Sequence, residues 1–151
     1  MKRKLAAVAI GLALSAPVFA AGPTSNVTQT GIDNFGAVQQ QDAQNSTATI
    51  VQIGDANKAG QDVSPLIYGI TQVAVNGANA SINQTGNANG ATIEQNSAAN
   101  AAASINETGN TNAATIRQLS VGPNNTATIN QGVTGTSSDL NDARILQQNI
   151  V

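Results

Sequence analysis

The chain has 151 residues, of which 40% are hydrophobic, 2% aromatic and 9% charged, with no cysteine and no histidine. The length suits one domain, and the missing residue types exclude disulfides, thiol chemistry and the usual zinc ligands. So few aromatics exclude an ordinary globular core, and the abundant Asn, Gln, Thr, Ser, Ala and Gly need either disorder or a strict repeat.

Residues 1–20 read as a secretory signal peptide. Lys2, Arg3 and Lys4 form a basic start, Leu5 to Leu14 is apolar but too short to span a bilayer, and Val18-Phe19-Ala20 supplies small residues at the −3 and −1 positions for cleavage after Ala20 or Ala21. No other segment is suited to membrane insertion. The remaining domain, 21–151, keeps Lys58, Arg117 and Arg144 against eight acids, a formal charge of −5. An acidic chain nearly free of aromatics is unsuited to nucleic acid.

The domain is organised around Ile82–Gln95, INQTGNANGATIEQ, which returns 23 residues later at Ile105–Gln118 as INETGNTNAATIRQ. Only positions 84/107, 88/111, 90/113 and 94/117 differ. Self-similarity at that period marks a repeat architecture, each unit burying its apolar face on its neighbours. The unit is a strand ending in Ile-x-Gln, a turn x-Gly-x-x-Asn, and a strand Asn-x-Ala-x-Ile-x-Gln. Side chains alternate faces along a strand, so Asn89, Ala91, Ile93 and Gln95 share one face. Gly86 falls where a tight turn wants positive φ.

Using the Gln that ends each strand as a marker, the chain divides into five rungs, about 23–40, 46–72, 78–95, 101–118 and 125–147. The expected fold is all-β: a β-solenoid of five strand-turn-strand rungs forming two parallel stacked sheets. The second rung carries about nine extra residues, read as a longer arc over 53–65, because Leu66, Tyr68, Ile70 and Gln72 alternate properly after Pro65. The last rung carries a shorter insertion over 132–140.

Three columns follow from the register. The aliphatic column is Val27, Val38, Ile50, Ile70, Ile82, Ile93, Ile105, Ile116, Ile129 and Ile145, all β-branched. The column before it is small (Ser25, Gly36, Ala48, Ala80, Ala91, Ala103, Ala114, Ala127, Ala143), with Tyr68 as the one exception. Such residues let two sheets approach closely over a thin, dry interior. The terminal column is polar: Gln29, Gln40, Gln52, Gln72, Gln84, Gln95, Glu107, Gln118, Gln131 and Gln147. Buried amides must hydrogen-bond, and amides stacked at about 4.8 Å can bond rung to rung.

Outward positions are polar and irregular. Glu94 and Arg117 share an outward column one rung apart and can pair at the surface. Asp33, Asp42, Asp55, Asp62, Asp139 and Asp142 lie mostly in turns or arcs, where Asp suits the turn and also restrains self-association.

The run Gln-x-Gly-x-x-Asn-x-Ala-x-x-x-Gln at 84–95 resembles the curlin repeat of curli subunits, the bacterial extracellular functional amyloids. The run at 29–40 matches except for Gly36 in place of Ala, and at 107–118 Glu107 replaces the first Gln. The resemblance covers residues 23 to 147. It implies that Gln29, Asn34, Gln40, Gln52, Gln84, Asn89, Gln95, Asn112, Gln118, Gln131 and Gln147 match the family's amyloid-core residues. It also implies secretion through a dedicated outer-membrane channel with periplasmic chaperones, and assembly with copies of itself and a second curli-type subunit. The product would be a cell-surface fibre supporting adhesion and biofilm. Only Ala21-Gly22 stands between the leader and Pro23, where the family usually has a longer targeting segment. The inserted second and last rungs leave both major and nucleating subunit open.

Read from the residues alone, two other function classes compete. A monomeric β-solenoid surface binder, of ice-binding or adhesin type, needs a regular outward Thr-x-Thr array. That array lapses at Asn79, Ser81, Asn83 and at Ala102, Ser104, Asn106. An enzyme of the parallel β-helix kind needs converging acid and base. Glu94, Glu107 and Arg117 are the only candidates on regular rungs, and Glu107 should point inward while Glu94 points outward. The expectation is no catalysis, no cofactor and no metal.

Overall fold

In every rung β-branched residues alternate with polar ones, and each such run forms a strand whose neighbours lie one rung away. The computed structural model describes residues 22–61, 67–120, 122–132 and 141–148. The leader, Asp62 to Leu66 (with Pro65) and the 133–140 stretch (with Asp139) lie outside the described residues.

The first rung holds β1 (Thr24–Thr30), β2 (Phe35–Gly36) and β3 (Val38–Gln41); the second β4 (Thr47–Ile53), β5 (Lys58–Gln61), β6 (Ile67–Tyr68) and β7 (Ile70–Val73). The third holds β8 (Asn79–Thr85) and β9 (Gly90–Asn96), the fourth β10 (Ala102–Thr108) and β11 (Ala113–Leu119), and the fifth β12 (Thr126–Gln131) and β13 (Asp142–Gln148). The fold is an all-β solenoid of two sheets. One runs β1-β4-β8-β10-β12 and the other β13-β11-β9-β5-β2, with β7 joining β9 to β3. All rung-to-rung pairings are parallel.

The register matches like with like. Val27 pairs with Ile50, Ile50 with Ile82, Ile82 with Ile105 and Ile105 with Ile129. On the other sheet Val38, Ile70, Ile93, Ile116 and Ile145 form the second half of the column. The interior members are at most 5% exposed, while Val27 and Ile145 at the two ends are only partly buried. Each fully buried Ile contributes roughly 1.5–3 kcal/mol, which substitutes for the absent aromatic core.

The second-rung insertion lies elsewhere than the sequence suggested. The arc Ile53–Asn57 has ordinary length, and β5 follows it in register, Ala59 pairing with Gly36 and Ala91. Ala59, 0% exposed, therefore fills the small column where Tyr68 was expected. The chain leaves the rung after Ala59, and β5 and β6 pair antiparallel, Gly60 with Tyr68 and Gln61 with Ile67. It re-enters at Gly69, whose N–H donates to Ala37 O at 2.8 Å and whose carbonyl accepts from Ile93 N at 2.7 Å. The insertion is a hairpin extruded from mid-strand, and the backbone ladder closes beneath it.

A second apolar cluster was not read from the sequence. Ala43, Val75, Ala78, Ala98 and Ala101 pack together in the arcs that return from one rung to the next, tied by bridges from Gln44 to Asn76 and from Asn76 to Ala99.

Candidate functional site

The polar column resolves into two amide ladders, one on each sheet. On the β1 sheet, Nε2 of Gln29 donates to Oε1 of Gln52 at 2.7 Å, Gln52 to Gln84 at 2.8 Å, and Gln84 to Oε2 of Glu107 at 2.8 Å. On the other sheet, Gln40 donates to Gln72 at 2.7 Å, Gln72 to Gln95 at 2.8 Å, Gln95 to Gln118 at 2.9 Å and Gln118 to Gln147 at 2.8 Å. Every donor points toward the C-terminal rung. The remaining amide hydrogens reach backbone carbonyls, such as Gln72 to Ala78 O and Gln95 to Ala101 O. Gln52, Gln72, Gln95 and Gln118 are fully buried with their bonding met internally, so the ladder fixes register from within.

A third ladder is made of Asn at the start of each return strand. Asn34 donates to Gly54 O at 2.7 Å, Asn57 to Gly86 O at 2.7 Å and Asn89 to Gly109 O at 2.8 Å. Each Asn Oδ1 accepts from the next rung, and the series extends to Asn141, which donates to Asn112 Oδ1 at 2.9 Å. Asn34, Asn89 and Asn112 were expected here. Asn57 and Asn141 were missed, although Asn57 follows Gln52 by the same five residues that separate Gln29 from Asn34.

The arcs explain why the spacing is strict. Gly31, Gly54, Gly86 and Gly109 have φ of 114°, 111°, 114° and 107°. A Cβ on Gly86 would run into the carbonyl oxygen of Gly109 one rung away. Both the backbone angle and the rung stacking thus demand glycine there. Asp33 and Asp42 hold left-handed φ near 56° and 51°, and Asp55 Oδ1 accepts from Ile32 N at 2.8 Å, which gives all three turn roles. Asp142 instead lies on β13 and pairs with Arg144 at 3.2 Å.

Glu107 is the one acidic member of the ladders. It is 1% exposed; Oε2 accepts from Gln84, but Oε1 is buried without a partner. Its register partner Gln131 likewise has a buried, unpartnered Oε1. Burial pushes the Glu107 carboxyl up from an ordinary 4.5 to about 7, while the Gln84 hydrogen bond pulls it down.

On the outside, Arg117 Nε meets Glu94 Oε2 at 2.7 Å as the register expects, with both side chains substantially exposed. Asn83, Asn106 and Asn130 form a further surface amide series at 2.9 and 2.8 Å. Glu107 faces the interior and Glu94 the surface, so the two carboxylates do not share a site. Among the described residues no three His, Cys, Asp or Glu side chains gather where a metal ion could sit.

Comparison with known proteins finds no matching family model, curated protein or solved structure.

Proposed function

We propose that the chain is a structural subunit of an extracellular, curli-like amyloid fibre that grows rung on rung and supports adhesion and biofilm. One observation carries this reading. The ladders and the aliphatic column run in register through all five rungs, and each end rung leaves one strand's members partly exposed, Val27 and Gln29 on β1 and Ile145 and Gln147 on β13, while Val38 and Ile129 in the same end rungs stay buried. The outermost strands β1 and β12 are each paired on one side only among the described residues. Such an edge is a template for another chain, and one carrying the same columns as its opposite end favours a copy of itself. Head-to-tail contacts of this kind do not close, so they make filaments. The residue 1–20 leader supports secretion as the route to the surface. An export channel, chaperones and a second subunit type belong to this proposal through the curlin resemblance alone.

The test is thioflavin T fluorescence of the purified chain diluted from denaturant, with and without preformed seeds. Growth with a lag that seeds shorten is expected. A flat trace from a soluble β-rich monomer would overturn the fibre reading.

A further inference from the structure

The amide ladder on the β1 sheet differs from its partner at one place. On the β3 side five Gln residues form one ladder in which four donate in one direction without interruption, from Gln40 through to the acceptor Gln147. On the β1 side the same direction holds from Gln29 to Glu107 and then lapses, because a carboxylate has no hydrogen to pass on. The break is visible as two buried acceptors, Glu107 Oε1 and Gln131 Oε1, on register partners with nothing to bond. Two unpartnered acceptors on register partners are a mismatch that a single proton repairs.

Resting on the fibre reading above, we infer that the protonation of Glu107 sets the hydrogen-bonding polarity of the growing end, and so gates the docking of a second copy of this chain. With Glu107 neutral, its Oε1 hydroxyl donates to Gln131 Oε1. Gln131 then keeps its amide nitrogen turned outward, in the place that Gln147 holds in the unbroken ladder, where one amide hydrogen reaches Thr126 O at 3.2 Å and the second is left for the next copy. At the opposite end Gln29 has committed its nitrogen to Gln52, so its Oε1 faces an incoming copy. Donor meets acceptor, and both ladders cross the junction in one direction.

With Glu107 ionised, Gln131 must reverse to donate inward, and its oxygen then faces the oxygen of the incoming Gln29. Reversing Gln29 does not help. Its reversal would pass through Gln52 to Gln84 and set an amide oxygen against the same carboxylate. One carboxylate per copy therefore forces one acceptor–acceptor contact per copy.

Among the described residues no other charge facing Glu107 competes for this role. Its neighbours along the ladder are Gln84 on β8 and Gln131 on β12. On β9 and β11 the charged side chains, Glu94 and Arg117, are paired with each other on the outer face. On β5 Lys58 is exposed. The raised proton affinity of Glu107 arises from burial, with Gln84 opposing it, and no neighbouring charge enters.

The test is seeded elongation, followed by thioflavin T, for the wild type, Glu107→Gln and Glu94→Gln at pH 6 and pH 8.5, with seeds of the same chain. The wild type is expected to elongate about tenfold faster at pH 6, the scale set by one amide hydrogen bond across the junction. Glu107→Gln should elongate fast at both pH values. Glu94→Gln, which removes the same charge from the surface, should keep the wild-type pH dependence. Normal growth with no pH dependence in the wild type, or with an equal dependence in Glu107→Gln, would overturn the gate and leave the fibre reading standing. Absence of seeded growth in all three at both pH values would overturn the fibre reading and the gate with it.

Discussion

Gln84 donates to Glu107 across 23 residues of sequence at 2.8 Å, and the other oxygen of the same carboxylate is buried with no partner. One substitution in an otherwise repeated column thus places an acid where an amide belongs.

The fold should therefore be more stable in mild acid. The folded-state value of Glu107 lies above its unfolded value, so the folded chain binds the extra proton. The contribution is fully present below about pH 4.5 and is lost as pH rises through about 7. The difference across that window is on the order of 3 kcal/mol. Urea unfolding of dilute monomer at pH 5.5 and 8 captures about 2 kcal/mol of it, since pH 5.5 already lies inside the window. Glu107→Gln should stabilise the chain at pH 8 and flatten the profile; an unchanged profile would contradict the burial of this carboxyl.

Gly86→Ala should destabilise the monomer by about 3 kcal/mol, since it combines a positive φ of 114° with a clash against the next rung. Gly90→Ala is the control. A Cβ there meets nothing closer than Asn112 O at 3.9 Å, and Ala113 already occupies the partner position. That variant should be neutral or more stable by about 0.5 kcal/mol. Equal losses at both positions would show that the glycine spacing is not set by rung stacking.

Gln95→Leu should cost about 2–4 kcal/mol, because it strands the Gln72 donor and the Gln118 acceptor in a buried interior. Arg117→Ala removes an exposed pair and should cost less than about 1 kcal/mol. The same unfolding measurement ranks the two, and the reverse order would place the stability on the surface charges.

The columns were legible because two periods coincide, two residues along the strand and about 23 between rungs. Every aliphatic and amide position of the two sheets lies in the register read from Ile82 to Gln95. The hairpin was misplaced because Leu66, Tyr68, Ile70 and Gln72 alternate as a strand should, whereas Ala59 resembles any other alanine in a polar stretch. What decides between them is space. Gly69 sits so close to Ala59 that a Cβ there would meet its backbone, so the rung takes one small residue and sends Tyr68 into the hairpin. The arc cluster of Ala43, Val75, Ala78, Ala98 and Ala101 was hidden for a related reason. Short runs that mix Ala with Asn, Ser and Gly, as over Ala74–Asn79 and Ser97–Ala102, resemble a loop until neighbouring rungs stack them.

Rung-on-rung growth makes one geometric demand that other amyloid arrangements do not share. Each copy supplies all five rungs, so the helical rise per subunit in a cryo-electron-microscopy reconstruction should be about 24 Å, built from layers about 4.8 Å apart. In that fibre Gln131 of one copy lies against Gln29 of the next. A rise of about 4.8 Å per subunit, with each chain flattened into one layer and Gln29 stacked on Gln29 of its neighbours, would contradict it.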